Sequence, residues 1–214
     1  NRNWFEKTAY ASLGYAVFAM DFRGQGGKSQ DIGGILGTTV AGHIVAGIDD
    51  ELDNMIYVKN ILDMCLLIRI AKDIEGIDAN NINCAGGSQG GGFATMCAGL
   101  NDIKKCIILY PFLSDMKKVY DLDLDLVAYE SIRYYTRWFS STGENDEKLF
   151  NRLAYIDAKN FAPRVKSKVL FGASNIDVIC PIETQFAVYN NLNCEKELVL
   201  YKKYGHENIP DFNT

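Results

Sequence analysis

A serine among glycines is the feature of this sequence with the clearest chemical potential. Residues 86–92 are Gly-Gly-Ser-Gln-Gly-Gly-Gly and contain the pattern Gly86-x-Ser88-x-Gly90. This spacing is typical of a nucleophile elbow, a strained strand-to-helix turn that exposes a serine hydroxyl above a sheet. Because three fixed residues make a weak motif, the neighbouring elements must support the interpretation.

The flanking residues fit a strand before the serine and a helix after it. Residues 81–85 carry apolar side chains at alternate positions, which predicts a short strand. Residues 89–100 are small enough to form a helix close against that strand. Each glycine in a helix costs about 1 kcal/mol relative to alanine, so we expect these glycines to serve close backbone contacts. The alternative is a glycine-rich turn with an incidental serine.

Serine is a poor nucleophile unless a base accepts its proton and a third group orients that base. The chain contains two histidines, His43 and His206. In the fold that a nucleophile elbow implies, serine is followed by the acid and then by the histidine. His43 precedes Ser88, so His206 is the candidate base.

Two aspartates compete for the third position. Asp177 comes just after a predicted strand, whereas Asp157 follows a helical pattern, so we favour Asp177. In these roles Ser88 attacks an acyl carbon, His206 transfers the proton, and Asp177 orients the imidazole. The backbone N–H of Gln89, the residue after the nucleophile, is predicted to stabilise the oxyanion.

The strands and helices that must position these groups are predicted to form a single α/β domain over 1–214, with a mostly parallel sheet and helices on both faces. Further strands are predicted at 15–21, 104–110, 168–173 and 197–201, and further helices at 4–13, 49–73, 144–155 and 181–191. Acidic and then aromatic residues interrupt the alternation and indicate a helical insertion at about 116–140. It would roof the site, contact another subunit, or face the core.

Three other groups of residues suggest ligands, and none is favoured. The loop 23–31 fails the P-loop pattern at Phe22 and the dinucleotide fingerprint at Ser29. The acidic run 49–51 is a possible cation site but is better explained as a cap on the helix that follows. Six cysteines lack Cys-x-x-Cys spacing and are interpreted as buried reduced thiols. We therefore predict neither a metal nor a cofactor.

Composition excludes several classes of partner. The 214 residues are 48% hydrophobic and 23% charged, which is ordinary for a soluble globular protein. A formal charge of -5 argues against nucleic acid or an anionic membrane as partner. No apolar stretch reaches the roughly 18–20 residues that cross a bilayer.

Three motifs resemble the signatures of the acetyl xylan esterase / cephalosporin C deacetylase family, carbohydrate esterase family seven. They are Asp21-Phe-Arg-Gly-Gln-Gly26, Gly86-Gly-Ser-Gln-Gly-Gly91 and Gly205-His-Glu207, and the resemblance runs along almost the whole chain. It implies an α/β-hydrolase fold in which Ser88, Asp177 and His206 match the family triad. It also gives supporting motif positions to seven residues: Arg23, Gly24, Gln25, Gly26, Gly86, Gly90 and Glu207.

The resemblance also implies an activity and a setting. Family members remove acetyl groups from small acetylated sugars, such as xylo-oligosaccharides, and from cephalosporin C, without a cofactor. They are typically cytoplasmic hexamers whose active sites face an internal cavity. Two alternatives stay open: another hydrolase on the same scaffold, such as a peptidase or a lactone hydrolase, and a non-catalytic hydrolase-like protein.

The chain departs from the family at its N-terminal end, where family members have further strands and a His-Gly-Tyr turn. In that fold a central strand would lie between the strands ending at Asp21 and Ala85. Its absence would leave backbone groups without partners and remove the second oxyanion donor. We therefore expect this chain to be a piece of a longer esterase with its N-terminal strands missing, and to be unstable or weakly active by itself.

Overall fold

The centre of the molecule is a parallel sheet. The computed structural model describes residues 5–25, 29, 43–124 and 128–209, and in this part the sheet has four strands in the spatial order β1-β2-β3-β4. Their bounds are Asn83–Gly87 (β1), Lys105–Leu109 (β2), Lys168–Ser174 (β3) and Lys196–Tyr201 (β4). Because all neighbouring pairs are parallel, the carboxyl ends of the strands share one edge of the sheet.

Helices supply the connections between these strands. Their bounds are Phe5–Ser12 (α1), Ile56–Asp73 (α2), Gln89–Leu100 (α3), Met116–Asp121 (α4), Glu130–Phe139 (α5), Asp146–Leu153 (α6), Ala158–Phe161 (α7) and Ile182–Asn191 (α8). Short 3-10 turns cover His43–Val45, Leu52–Asn54, Ala154–Ile156 and Ala162–Arg164. No helix in the described ranges is long and apolar enough to cross a membrane.

The strands predicted after residue 80 are confirmed as β1 to β4. The apolar runs of β2 and β3 fill the centre of the sheet. Ile108 of β2 and Phe171 of β3 are fully buried. The glycine-rich α3 packs against β1 and β2 and buries an unbroken run of side chains from Phe93 to Ala98. The α/β class predicted from the alternation of elements is correct, and this packing sets the position of the turn that precedes α3.

The buried strand predicted at 15–21 is wrong for the described chain. These residues form no sheet ladder there, and Tyr15 and Phe18 remain 39% and 44% exposed. An apolar run can only become a strand when a neighbouring strand satisfies its backbone groups, and none of the described strands lies beside it. The end of the segment is anchored instead by Phe22, whose ring stacks on Phe93 with centroids 4.2 Å apart.

The acidic run at 49–51 does not cap a helix, contrary to the prediction. A 3-10 turn intervenes, and α2 begins at Ile56 with no side-chain cap. Asp49 instead accepts hydrogen bonds from the Tyr135 hydroxyl at 2.7 Å and from Lys148 Nζ at 3.0 Å. These contacts, the Tyr135 hydrogen bond first, lower the pKa of Asp49. Asp49 therefore ties the segment before α2 to α5 and α6.

The stretch predicted as a helical insertion contains two helices, α4 and α5, with non-helical residues between them; residues 125–127 lie outside the described ranges. Tyr129 and Tyr135 are buried, whereas Tyr134, Trp138 and Phe139 are 54%, 72% and 66% exposed. The aromatic residues therefore lie partly in the core and partly on the surface, whereas a helix face directed only at the core would bury them all.

Candidate active site

Ser88 occupies the turn between β1 and α3, at the carboxyl edge of the sheet. Its φ of 55° and ψ of -122° form a conformation that costs of order 1–3 kcal/mol. The surrounding backbone holds the turn in place. The Ser88 N–H donates to the Leu109 carbonyl at 3.0 Å, and the Ser88 carbonyl accepts from the N–H groups of Gly92 and Phe112. Such a strained, well-supported turn is the geometry of a nucleophile elbow.

Glycines let backbone segments approach this turn closely. A Cβ at Gly86 would lie 2.2 Å from the Gly90 carbonyl oxygen, and one at Gly92 would lie 2.1 Å from the Phe112 carbonyl oxygen. The expectation that the helical glycines serve close contacts is confirmed at Gly92, and Gly86 makes a similar contact from the end of β1. At Gly90 an added Cβ would meet no described atom within 4 Å, so packing does not explain that glycine.

Asp177 and His206 come together from two different loops at the same edge of the sheet. His206 Nδ1 lies 2.8 Å from Asp177 Oδ2. The other carboxylate oxygen, Oδ1, accepts the N–H groups of Ile179 and Cys180, each at 2.8 Å. The Asp177 side chain is fully buried, whereas that of His206 is 24% exposed. This arrangement orients the imidazole and leaves part of the ring exposed.

Tyr110, which sequence reasoning did not assign to the site, supports His206. Its ring centroid lies 4.8 Å from that of the imidazole. Its hydroxyl donates to the Glu207 carbonyl at 3.0 Å, and Glu207 Oε1 accepts the Gly205 N–H at 3.1 Å. Tyr110 and Glu207 therefore hold the loop that carries the histidine. The Tyr-Pro-Phe sequence after β2 was the available signal for this residue.

Cys180 is a second residue that the sequence analysis left out of the site. Its side chain is fully buried, and Ser88 lies within interaction range of its thiol. Burial, together with the nearby Asp177 carboxylate, raises the pKa of the Cys180 thiol. In the described chain no hydrogen bond joins Ser88 to His206 directly, and such bonds commonly tighten only when substrate binds.

The loop after residue 21 is fastened to α2. Arg23 forms a two-pronged ion pair with Asp63, in which Nη2 lies 2.7 Å from Oδ1. The Arg23 N–H donates to Asn60 Oδ1 at 3.1 Å. Gly24 is buried with a φ of 67°, in the left-handed region that favours glycine. Gly26 lies outside the described residues.

This loop reaches the elbow through a pair of glutamines. Gln89 Nε2 donates to Gln25 Oε1 at 2.7 Å, and the Tyr57 hydroxyl lies 3.4 Å from Gln89 Oε1. Burial raises the pKa of Tyr57, so its hydroxyl stays protonated as a donor. The first residue of α3, whose N–H is the predicted oxyanion donor, is therefore held by side chains from two other segments. Sequence patterns gave no signal for Tyr57.

The rival aspartate has a structural role. Asp157 accepts the backbone N–H groups of Asp115 at 2.9 Å, Met116 at 3.0 Å and Lys159 at 3.0 Å. It is buried, and burial raises its pKa despite these hydrogen bonds. Its position joins the starts of α4 and α7. The other histidine, His43, is buried on a 3-10 turn, where burial lowers its pKa.

Comparison with known proteins identifies the family. The acetyl xylan esterase (AXE1) family model matches residues 1–214. The acetyl esterase Axe7A of Xylanibacter ruminicola is 31% identical over 161 residues, which are 74% of this chain and 34% of that protein. The chain belongs to the acetyl xylan esterase family. Membership places it in a family of carboxylic ester hydrolases.

Solved structures of acetyl xylan esterases share its fold. Acetyl xylan esterase 1 from Thermoanaerobacterium sp. JW/SL YS485 matches with a TM-score of 0.93 and 43% identity, over 99% of this chain and 67% of that one. The acetyl xylan esterase from Paenibacillus sp. R4 matches with a TM-score of 0.89 and 33% identity, over 96% and 65%. The predicted α/β-hydrolase fold is thereby confirmed. The chain spans about two thirds of the length of these two structures and about a third of Axe7A.

Proposed function

We propose that this member of the acetyl xylan esterase family is a serine esterase that removes acetyl groups from small acetylated sugars, such as xylo-oligosaccharides, and from cephalosporin C-like acetyl esters. The observation that carries the proposal is the 2.8 Å contact between His206 and Asp177, at the sheet edge where Ser88 occupies a strained turn. The names of its acetyl xylan esterase relatives support acetyl esters as the substrate class.

The first half of the reaction transfers the acetyl group to the enzyme. His206 accepts the Ser88 proton while the serine oxygen bonds to the acetyl carbon. The Gln89 N–H donates to the oxyanion that forms, and Asp177 stabilises the imidazolium. The carbon–oxygen bond to the sugar then breaks, and His206 gives the proton to the departing sugar oxygen, which leaves as a hydroxyl.

The second half releases the acetyl group to water. His206, now neutral, takes a proton from a water molecule whose oxygen attacks the acetyl-serine carbon. Collapse of the second tetrahedral intermediate returns the proton to Ser88 and releases acetate. The exposed side of the His206 ring is where substrate and water would approach. No metal or redox step takes part in this scheme.

Replacement of Ser88 tests this mechanism directly. Ser88→Ala should lower kcat for p-nitrophenyl acetate by at least about 10⁴-fold, because the nucleophile is lost. Ser12→Ala, which changes an exposed serine in α1, is the matched control and should retain full activity. A fluorophosphonate probe should label the parent protein and not the Ser88 variant. Full activity in Ser88→Ala would exclude the mechanism.

A substrate panel distinguishes the proposed esterase from its alternatives. Acetyl esters, including acetylated xylo-oligosaccharides and cephalosporin C, should be cleaved faster than butyryl or longer esters, lactones and peptide amides. A preference for amides or lactones would instead indicate a different hydrolase on this scaffold. If fluorophosphonate labelled Ser88 but no ester were hydrolysed, the triad would be assembled in a protein that is not an active esterase.

Assembly and location remain predictions from the family resemblance. We propose a cytoplasmic homo-oligomer, with a hexamer as the expected state. Light scattering coupled to size-exclusion chromatography measures the oligomer directly, and a monomer at micromolar concentration would contradict it.

A further inference from the structure

Three different metal-binding side chains meet at the base of the catalytic group. The Asp177 carboxylate, the Cys180 thiol and the His206 imidazole each offer an atom, and these atoms all lie within 4.8 Å of one another. The proposed ester hydrolysis uses Asp177 and His206 but gives Cys180 no role. Sulfur next to an imidazole and a carboxylate is a donor set that favours zinc and other thiophilic cations.

We propose that Asp177, Cys180 and His206 form a binding site for a thiophilic divalent cation, Zn²⁺ or Cd²⁺, whose occupation stops ester hydrolysis. Binding of the cation does not depend on the proposed function, whereas the inhibition of ester hydrolysis rests on that function. It overlaps the triad without being part of the reaction.

The distances between the three donors suit a cation at their centre. Some point lies within about 2.8 Å of all three atoms when no two are more than 4.8 Å apart. Zinc binds thiolate sulfur at about 2.3 Å and nitrogen or carboxylate oxygen at about 2.0–2.2 Å. Movements of less than about 1 Å by each side chain therefore complete three bonds. Ser88, beside the thiol, offers an oxygen for the fourth position.

Burial determines how the cation enters and what it displaces. The Asp177 and Cys180 side chains are fully buried, so entry is from the side of His206, whose ring is 24% exposed. A cation on Nδ1 breaks the Asp177–His206 hydrogen bond. With either ring nitrogen, the Cys180 thiol proton is released to solvent as the metal–sulfur bond forms. No oxidant or reductant is needed.

Loss of activity follows whichever ring nitrogen of His206 takes the cation. A cation on Nε2 occupies the atom that would accept the Ser88 proton. A cation on Nδ1 leaves the remaining imidazole proton on Nε2, which then cannot accept another. Either form removes the general base.

The test is a titration with Cd²⁺ followed by absorbance and by activity. The parent protein should develop the ultraviolet charge-transfer band of a cadmium–thiolate bond at one equivalent, and ester hydrolysis should fall in parallel and recover with EDTA. Cys180→Ala and Cys180→Ser should remove this band and raise the Cd²⁺ concentration for half-inhibition by at least about 10–100-fold. Each variant is compared with its own cation-free rate.

A matched cysteine variant and the absorbance signal make the result decisive. Cys194→Ser changes a partly exposed thiol outside the site and should keep both the band and the inhibition. Absence of a band in the parent protein, or a band and inhibition unchanged in the Cys180 variants, would overturn the proposal. Because the band needs no turnover, a protein inactive on every ester would refute the proposed function and leave this site testable.

Discussion

At the scale of single residues, two buried aspartates that were both candidates for the triad have different roles. Asp177 gives one oxygen to His206 and the other to two backbone N–H groups. Asp157 gives both oxygens to backbone N–H groups at the starts of two helices. A carboxylate that contacts only backbone stabilises the fold, whereas one that contacts an imidazole also controls its tautomer.

Replacement of each aspartate should separate these roles. Asp177→Asn should lower kcat by about 10³–10⁴-fold, because the amide favours the wrong imidazole tautomer. Asp157→Ala should lower the free energy of unfolding by about 2–4 kcal/mol, because it leaves buried N–H groups without an acceptor. Ester assays and urea denaturation measure both quantities in both variants. If Asp157→Ala lost activity at full stability while Asp177→Asn kept it, the assignment would be reversed.

At the scale of elements, the elbow depends on how closely α3 can approach β1. Gly86 lies at the end of β1, against the backbone of the first turn of α3, and no side chain fits between them. Helical propensity favours alanine over glycine in α3, so the close contact outweighs propensity here.

Alanine substitutions at the two motif glycines should give unequal effects. Gly86→Ala places a methyl group 2.2 Å from a backbone carbonyl oxygen and should cost about 3 kcal/mol or more in stability. Gly90→Ala meets no described atom within 4 Å and should change stability by no more than about 1 kcal/mol, with helix propensity in its favour. Thermal melts compare the two, and equal losses would show that the close approach is unimportant.

At the scale of the whole molecule, a buried histidine couples stability to pH. His43 is 3% exposed, and within the described ranges neither ring nitrogen has a hydrogen-bond partner. Burial lowers its pKa from the ordinary value of 6.5. As the pH falls through about 6.5, His43 therefore binds a proton in the unfolded chain but not in the folded chain. The free energy of unfolding decreases in that range.

Removal of His43 should flatten this part of the pH profile. The free energy of unfolding of the parent protein should fall more steeply between pH 7 and pH 5 than that of His43→Leu. Urea denaturation at several pH values measures the difference. His206 is present in both proteins and therefore does not account for a difference between them. Parallel profiles would show that His43 does not contribute.

Much of the fold was accessible from patterns of residue type. The apolar runs that became β2 and β3 are mostly buried, and such strands need no more than their own composition to be recognised. The run that became β4 lies at the end of the described sheet and is only partly buried. The run at 15–21 has the same composition but lies exposed without a ladder in the described chain, because pairing depends on a neighbour and not on the run. The acidic residues before α2 failed as caps for a similar reason, since distant Tyr135 and Lys148 bind Asp49.

The sequence by itself determined the α/β class, the elbow around Ser88, and the two residues later in the chain that could complete a triad, because these depend on residue types, local spacing and chain order. Only the tertiary structure decided that Asp177 and not Asp157 contacts His206, and that Tyr110, Tyr57 and Cys180 surround the site. Those contacts join segments that local patterns do not relate, and they form only when the strands align and bring their carboxyl ends to one edge.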